Sequence, residues 1–258
     1  SHLMETLNDQ SNALVVGASG GIGTALVRRL LAESPVRRVW AASRTPQSPP
    51  LRHLAETFGA RLAPVEVDIL EPASIAALAR HIGEHDGELH LLINAFGFLH
   101  EEAAGIWPEK RLEDITAEAM LRNYRVNTLA PALIARHCLA LLNHRQRAVF
   151  ASLSARVGSI GDNRLGGWYS YRTSKAAQNM FTRGLAIECA RRARRIICLA
   201  LHPGTTATAL SEPFQGRVPA AQLFSPDFAA GQLLERIDRA GPADSGRFLA
   251  WDGEPIDW

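Results

Sequence analysis

Short apolar runs alternate with longer stretches in which apolar residues recur every three or four positions, and the alternation persists from one end of the chain to the other. Asn12–Val16 is an apolar run that stops at Gly17, and Thr24–Ala32 then carries helical periodicity. Arg38–Ala42, Arg61–Val67, Leu89–Ile93, Ala148–Ser152, Arg195–Leu201 and Arg247–Ala250 read as further strands. Helices are predicted over Pro72–His81, Thr116–Asn143, from Tyr171 to about Ala193, and over Pro226–Ala240. Pro46, Pro49 and Pro50 predict an irregular loop, residues 98–113 a long polar one, and residues 209–224 a mobile segment where a substrate lid would sit. Such an order predicts an α/β fold: one domain over residues 4–258, with a doubly wound parallel sheet of about seven strands and helices on both faces. Ligands of such sheets bind at the C-terminal strand ends. Ser1-His2-Leu3 before Met4 reads as an expression remnant.

Composition narrows the classes. At 258 residues the chain fits one large α/β domain, and no linker interrupts it. A net charge of +2 with interleaved signs argues against nucleic acid or a membrane surface as the main partner. The basic run Arg191-Arg192-Ala193-Arg194-Arg195 suits the C-terminal end of a helix, where cations complement the dipole. Cys138, Cys189 and Cys198 lack metal or CxxC spacing and read as reduced core residues. His81 and His85 flank Gly83 with no third ligand nearby, so no metal is expected. No apolar run approaches a membrane span and no signal peptide is visible, so the expected location is the cytoplasm.

Candidate chemistry sits where the strands end. Gly17-Ala-Ser19-Gly20-Gly21-Ile22-Gly23 joins a strand to a helix, and such a turn lets backbone amides at a helix N-terminus approach a pyrophosphate. After the second strand, Ser43-Arg44 stands where an acid would accept the ribose hydroxyls of NAD. An arginine there can hold a 2′-phosphate, which points to NADP(H); the alternative is a solvent-facing side chain. Asp68 and Asn94 close the next two strands, and Gly97 leaves room for a ring. Asn127 lies inside an apolar helix, and Pro131 withholds an N–H from its carbonyl, which predicts a kink or a water site. Tyr171 and Lys175 are four apart on one helix face, where the ammonium would pull the phenol's pKa down toward neutrality. Pro203-Gly204-Thr205-Thr206-Ala207-Thr208 forms a turn able to cap the ring end of a cofactor.

In this order the motifs Gly17-xxx-Gly21-x-Gly23, Asp68, Asn94-Ala95-x-Gly97, Asn127, Ser154, Tyr171-xxx-Lys175 and Pro203-Gly204 resemble the short-chain dehydrogenase/reductase family, a Rossmann fold. Gly158–Asn163, Gly166–Lys175 and the ending Trp251–Trp258 resemble its C-factor and sniffer-type carbonyl reductase branch. The resemblance implies catalysis by Asn127, Ser154, Tyr171 and Lys175, with Tyr171 as general acid, Lys175 on the nicotinamide ribose and Ser154 orienting a carbonyl. It implies cofactor contacts from Gly17, Ser19, Gly21, Ile22 and Gly23, from Ser43 and Arg44, and from Asp68 and Ile69. Further contacts are expected from Asn94, Ala95, Gly97, Tyr171, Lys175, Pro203, Gly204, Thr206 and Thr208. Ser154 lies one position further from Tyr171 than the motif expects, with Ala155 in the serine's place, so a bulge is expected to re-aim it, with Ser152 as the substitute. The implied function is NADP(H)-dependent interconversion of a small carbonyl compound and its alcohol by a homodimer or homotetramer. A dinucleotide-binding signalling protein and a sugar epimerase or dehydratase are the alternatives, the last disfavoured by the short region after Gly204.

Overall fold

The computed structural model describes residues 3–258. Ser1 and His2 of the proposed remnant lie outside the described residues, whereas the Leu3 amide donates to the Glu33 carbonyl and Met4 is buried. Seven strands form one parallel sheet: β1 (Asn12–Val16), β2 (Arg38–Ser43), β3 (Leu62–Glu66), β4 (Leu91–Asn94), β5 (Ala148–Leu153), β6 (Ile196–His202) and β7 (Arg247–Ala250). Their order is β3-β2-β1-β4-β5-β6-β7. The chain builds outward from β1 in one direction, then crosses back to continue from β4. The ends of β1 and β4 therefore flank the switch point, the crevice where doubly wound sheets bind ligands.

Both sheet faces are covered because the strands are apolar on both sides. Along β1, Ala13 and Val15 join one core and Leu14 and Val16 the other, the period of two that a pleated strand imposes. The first core is closed by α1 (Gly21–Glu33), α2 (Pro49–Phe58) and α7 (Pro226–Arg239). The second is closed by α3 (Pro72–His85), α5 (Ala130–Leu142) and α6 (Tyr169–Arg192). The three cysteines are free and fully buried. Among the described residues no helix is long and apolar enough to cross a membrane.

Three local structures depart from the expectations. The proline-rich loop folds into α2, because Pro49 and Pro50 occupy its first turn, where no intrahelical N–H is needed, and Leu51 and Leu54 then face the core. The long helix predicted over Thr116–Asn143 is α4 (Ala117–Tyr124) and α5 joined by a π-turn at Arg125–Leu129. Pro131 breaks the hydrogen-bond ladder there, as its missing N–H requires. The third is α1, which begins at Gly21 rather than Thr24, so the glycine turn is itself the first turn of the helix.

Arg147 ties the base of the sheet together. Its guanidinium donates to the carbonyls of Ile237 (2.6 Å) and Ala240 (2.8 Å) at the end of α7, and to Thr6 Oγ1 (3.0 Å) in the N-terminal segment. Arg147→Met should leave these carbonyls without a donor and lower stability by about 2–4 kcal/mol in urea denaturation. A change of a few tenths of a kcal/mol would show that water replaces the guanidinium at no penalty.

Candidate active site

At the end of β1 the backbone turns with no room for side chains. A Cβ on Gly17 would lie 2.6 Å from the Ala95 carbonyl oxygen, and one on Gly23 would overlap the Gly17 carbonyl. The helix that follows has Gly20 as its N-cap, with no side-chain cap bond and no acid in its first turn. Ser19, Gly20 and Gly21 are exposed, so the free amides of α1 face outward uncontested. Ile22 packs back on the core. Across from this turn stands Thr208, whose methyl would be 3.0 Å from a Cβ on Gly21. An anion-binding cradle with a hydroxyl-bearing residue over it fits a dinucleotide pyrophosphate.

Along the sheet edge, Ser43 is buried and its hydroxyl accepts the Thr45 amide, while Arg44 is exposed and makes no ion pair with a described residue. Asp68 Oδ1 accepts the Leu70 amide, and Ile69 packs against the second core. The Ala95 amide donates to the Val16 carbonyl and so locks the end of β4 against β1. Asn94 Nδ2 donates to Ser152 Oγ at 3.0 Å, joining β4 to β5 through side chains, and its Oδ1 is buried with no partner among the described residues.

Gly97 is the point around which the ring end of the site is built. A Cβ there would lie 3.5 Å from Asn127 Oδ1, 3.6 Å from Lys175 Nζ and 3.5 Å from Leu210. The Asn127 side chain clamps the segment after β4, accepting the Phe98 amide and donating to the Phe98 carbonyl, both at 2.8 Å. It also donates to Ser174 Oγ on α6 at 2.9 Å. Asn127 itself sits in the π-turn, and Pro131 supplies no N–H to its carbonyl.

The face that the first half of α6 turns inward is polar: Tyr171, Ser174, Lys175, Gln178, Asn179 and Thr182 are all buried, at helical spacing, and Ala186 and Cys189 further along join the apolar core. Lys175 Nζ donates to the carbonyl of Leu153, the last residue of β5, at 3.0 Å, and to Gln178 Oε1 at 3.2 Å. Gln178 Nε2 donates to the same carbonyl at 3.1 Å. Tyr171 lies one turn above, its ring centroid 5.8 Å from Nζ, and its hydroxyl makes no hydrogen bond with a described residue. Burial lowers the Lys175 ammonium to about 7 and raises the Tyr171 phenol. The downward pull on the phenol expected from the lysine is thus outweighed by desolvation. The two acceptors on Nζ favour its charged form and oppose its shift without reversing the direction.

Ser154 is buried, but its hydroxyl donates to Asn179 Oδ1 at 2.6 Å, about 12 Å along α6 from Tyr171. The expected bulge does not form, since β5 pairs with β6 residue for residue through Leu153↔Leu201 and the Ser154 amide continues the ladder to Leu201. Ser152 faces Asn94. Neither serine is hydrogen-bonded to Tyr171.

Beyond β6, Pro203 leads into Gly204, which has φ +77° and whose Cβ would lie 2.5 Å from the Phe224 ring. Thr206 is buried and bridges Phe224, closing residues 207–224 into a loop. From that loop Phe214 reaches Trp168 (5.1 Å) and His100 (5.7 Å), and His100 Nε2 donates to the Leu210 carbonyl. Trp168 in turn presents its ring edge-on to Tyr171 at 6.1 Å. His100, Trp168, Phe214, Ser174, Gln178 and Asn179 were not anticipated as site residues. For the α6 group a signal was available: polar side chains at helical spacing within a helix that must cover a sheet.

A family model for short chain dehydrogenases matches residues 11–217, and the chain belongs to that family. It is an NAD(P)-dependent oxidoreductase. The C-signal protein of Myxococcus xanthus is 32% identical over 172 residues, 67% of this chain and 94% of that one. An NADPH-bound carbonyl reductase from chicken fatty liver superposes with a TM-score of 0.84 at 32% identity, covering 98% of this chain and all of that one. The carbonyl reductase Sniffer of D. melanogaster gives 0.83 at 26% identity over 96% of this chain and 99% of that one.

The buried lysine has a sign-definite signature. Its folded pKa lies below the ordinary 10.5, so the fold carries the full penalty of a buried charge below about pH 7 and sheds it as pH rises toward 10.5. Lys175→Met removes the titrating group. Wild-type stability relative to this variant should therefore rise between about pH 7 and 10.5, by up to about 1.4 kcal/mol per pH unit. A difference that stays flat across that window in denaturation experiments would mean that Lys175 titrates normally.

Proposed function

We propose that the protein is an NADP(H)-dependent carbonyl reductase in which Tyr171 delivers the proton. The observation that carries this reading is a buried tyrosine with an unengaged hydroxyl one turn above a buried, doubly hydrogen-bonded lysine, beside Gly97 and Asn127. When bound, the dinucleotide supplies the hydride. Ser19, Gly21 and the first turn of α1 would hold its pyrophosphate with Thr208 over it, Ser43 and Arg44 its 2′-phosphate, and Thr206 the ring end. Tyr171 gives its proton to the alkoxide oxygen formed from the substrate carbonyl. A phenol raised by burial stays protonated at neutral pH, which suits reduction and opposes alcohol oxidation. Lys175, from below, stabilises the phenolate left behind, and Asn127 keeps the segment at Gly97 at a fixed distance from it. Ser154 orients the carbonyl only if its hydroxyl leaves Asn179. The substrate is a small, largely apolar ketone or aldehyde, enclosed by the 207–224 loop and the rings of Trp168 and Phe214.

Tyr171→Phe should lower kcat for NADPH-dependent reduction in a carbonyl panel by about 10²–10⁴-fold, with NADPH binding retained. Near wild-type turnover in this variant would remove Tyr171 from the chemistry. Arg44→Ala should weaken NADPH by about tenfold and leave NADH unchanged, within the range of one charge-assisted phosphate contact. Equal losses for both would show that Arg44 does not read the phosphate. The likeness to C-signal favours a second reading, in which bound dinucleotide acts as a signal. Dinucleotide binding with no turnover of any compound in the panel would select it.

A further inference from the structure

The helix that carries Tyr171 has no cap of its own. Its N-cap position is Trp168, which has left-handed backbone (φ +51°, ψ 42°) and makes no side-chain capping bond, and the first turn contains no acid. N-caps are ordinarily extended residues with a short polar side chain, so α6 begins against the usual rules. What replaces the cap comes from the loop before α4. Glu109 is 2% exposed, and both of its carboxylate oxygens accept the Ser170 amide, at 3.0 and 3.3 Å. Its own carbonyl accepts the Trp168 amide at 2.6 Å. One distant residue therefore grips two of the amides that open the helix. The chain is led into this grip through Gly167 (φ +66°), where a Cβ would come within 3.3 Å of the Glu109 carbonyl oxygen. Arg172 holds the same approach by donating to the carbonyls of Gly166 and Gly167.

A buried carboxylate needs a partner, and Glu109 makes no ion pair with a described cation. Its counter-charge is the amide end of α6. The arrangement concentrates unfavourable choices, a left-handed tryptophan and a buried acid, at the start of one helix, and such choices persist where surrounding contacts over-determine them. They fix the direction in which α6 leaves the loop. Tyr171 is the residue after Ser170, and Trp168, on the other side of it, touches both Tyr171 and the lid residue Phe214.

We propose that Glu109 is a positioning residue of the reaction centre, its carboxylate serving as the missing N-cap that sets Tyr171 and Trp168 in place. The inference rests on the reading of Tyr171 as proton donor. Because the Trp168 amide is held by the Glu109 backbone carbonyl, side-chain variants isolate the carboxylate. Glu109→Ala should lower kcat by about tenfold or more, the scale expected of a small misplacement, while KM for NADPH changes less than about twofold. Glu109→Gln keeps an acceptor for Ser170 and should recover most of that loss. Should the alanine variant fail to fold, Glu109→Asp, which draws the carboxylate back by one methylene, is expected to show the same split between kcat and KM. Hydrogen exchange over residues 168–174 should accelerate at least about tenfold in Glu109→Ala and little in Glu109→Gln. A folded Glu109→Ala enzyme with wild-type kcat, or parallel losses of kcat and NADPH affinity in every variant, would overturn the proposal. If the wild type reduces no carbonyl, the Tyr171 reading fails by itself, and unchanged exchange over 168–174 would then separately refute the cap.

Discussion

The carbonyl of Leu153 holds two side chains at once, and much of the molecule is arranged so that it can. It is the last carbonyl of β5, and both Lys175 and Gln178 donate to it from α6. A helix lying on a sheet normally presents an apolar stripe that tolerates small slides and rotations. Here the first half of the stripe is polar, and its hydrogen-bonded groups meet their partners at set distances and angles. Ser174 meets Asn127, the Ser174 carbonyl accepts Thr128, and Ser154 meets Asn179, so α6 is registered against β5 and the π-turn simultaneously. Such a contact is specific rather than adhesive, because the net gain per hydrogen bond is small while the loss on misalignment is large.

The same burial shapes the electrostatics. Removing Tyr171 and Lys175 from water favours the neutral form of each, and the two shifts have opposite signs on the pH scale. A phenol and an amine brought together on a solvated helix would behave as charge partners. Placed under a loop and against a strand end, they are first of all two desolvated groups, with charge allowed only where acceptors such as the Leu153 carbonyl compensate for lost water.

Legibility in the sequence followed the strength of the local physics. Strands buried on both faces announce themselves as apolar runs, and β1, β2, β5, β6 and β7 lie within a residue or two of their expected bounds. The α2 helix was hidden because Pro49 and Pro50 are breakers inside a helix but starters at its first turn, and spacing alone does not say which. The kink at Pro131 was legible, since a missing N–H acts locally, but its resolution as a π-turn depends on how Asn127 is held by Phe98. Where Ser154 points was not legible, because a hydroxyl's partner is settled by the register of a helix on the other side of the sheet end. Glu109 was invisible for the same reason: sixty residues of chain separate it from the amide it accepts.

The closed loop between Ala207 and Phe224 carries a different kind of consequence. Its ends are fastened to each other by the Ala207–Phe224 and Phe224–Thr205 backbone bonds and by the packing of Phe224 on Phe228 and Trp251. For a segment whose ends are already joined, doubling its length costs only about 0.6 kcal/mol of closure entropy. The cover of the site is therefore an interchangeable part. Apart from Thr208, Leu210 and Phe214, which touch the glycine turn, Gly97 and Trp168, it can be lengthened, shortened or rewritten at little cost in closure.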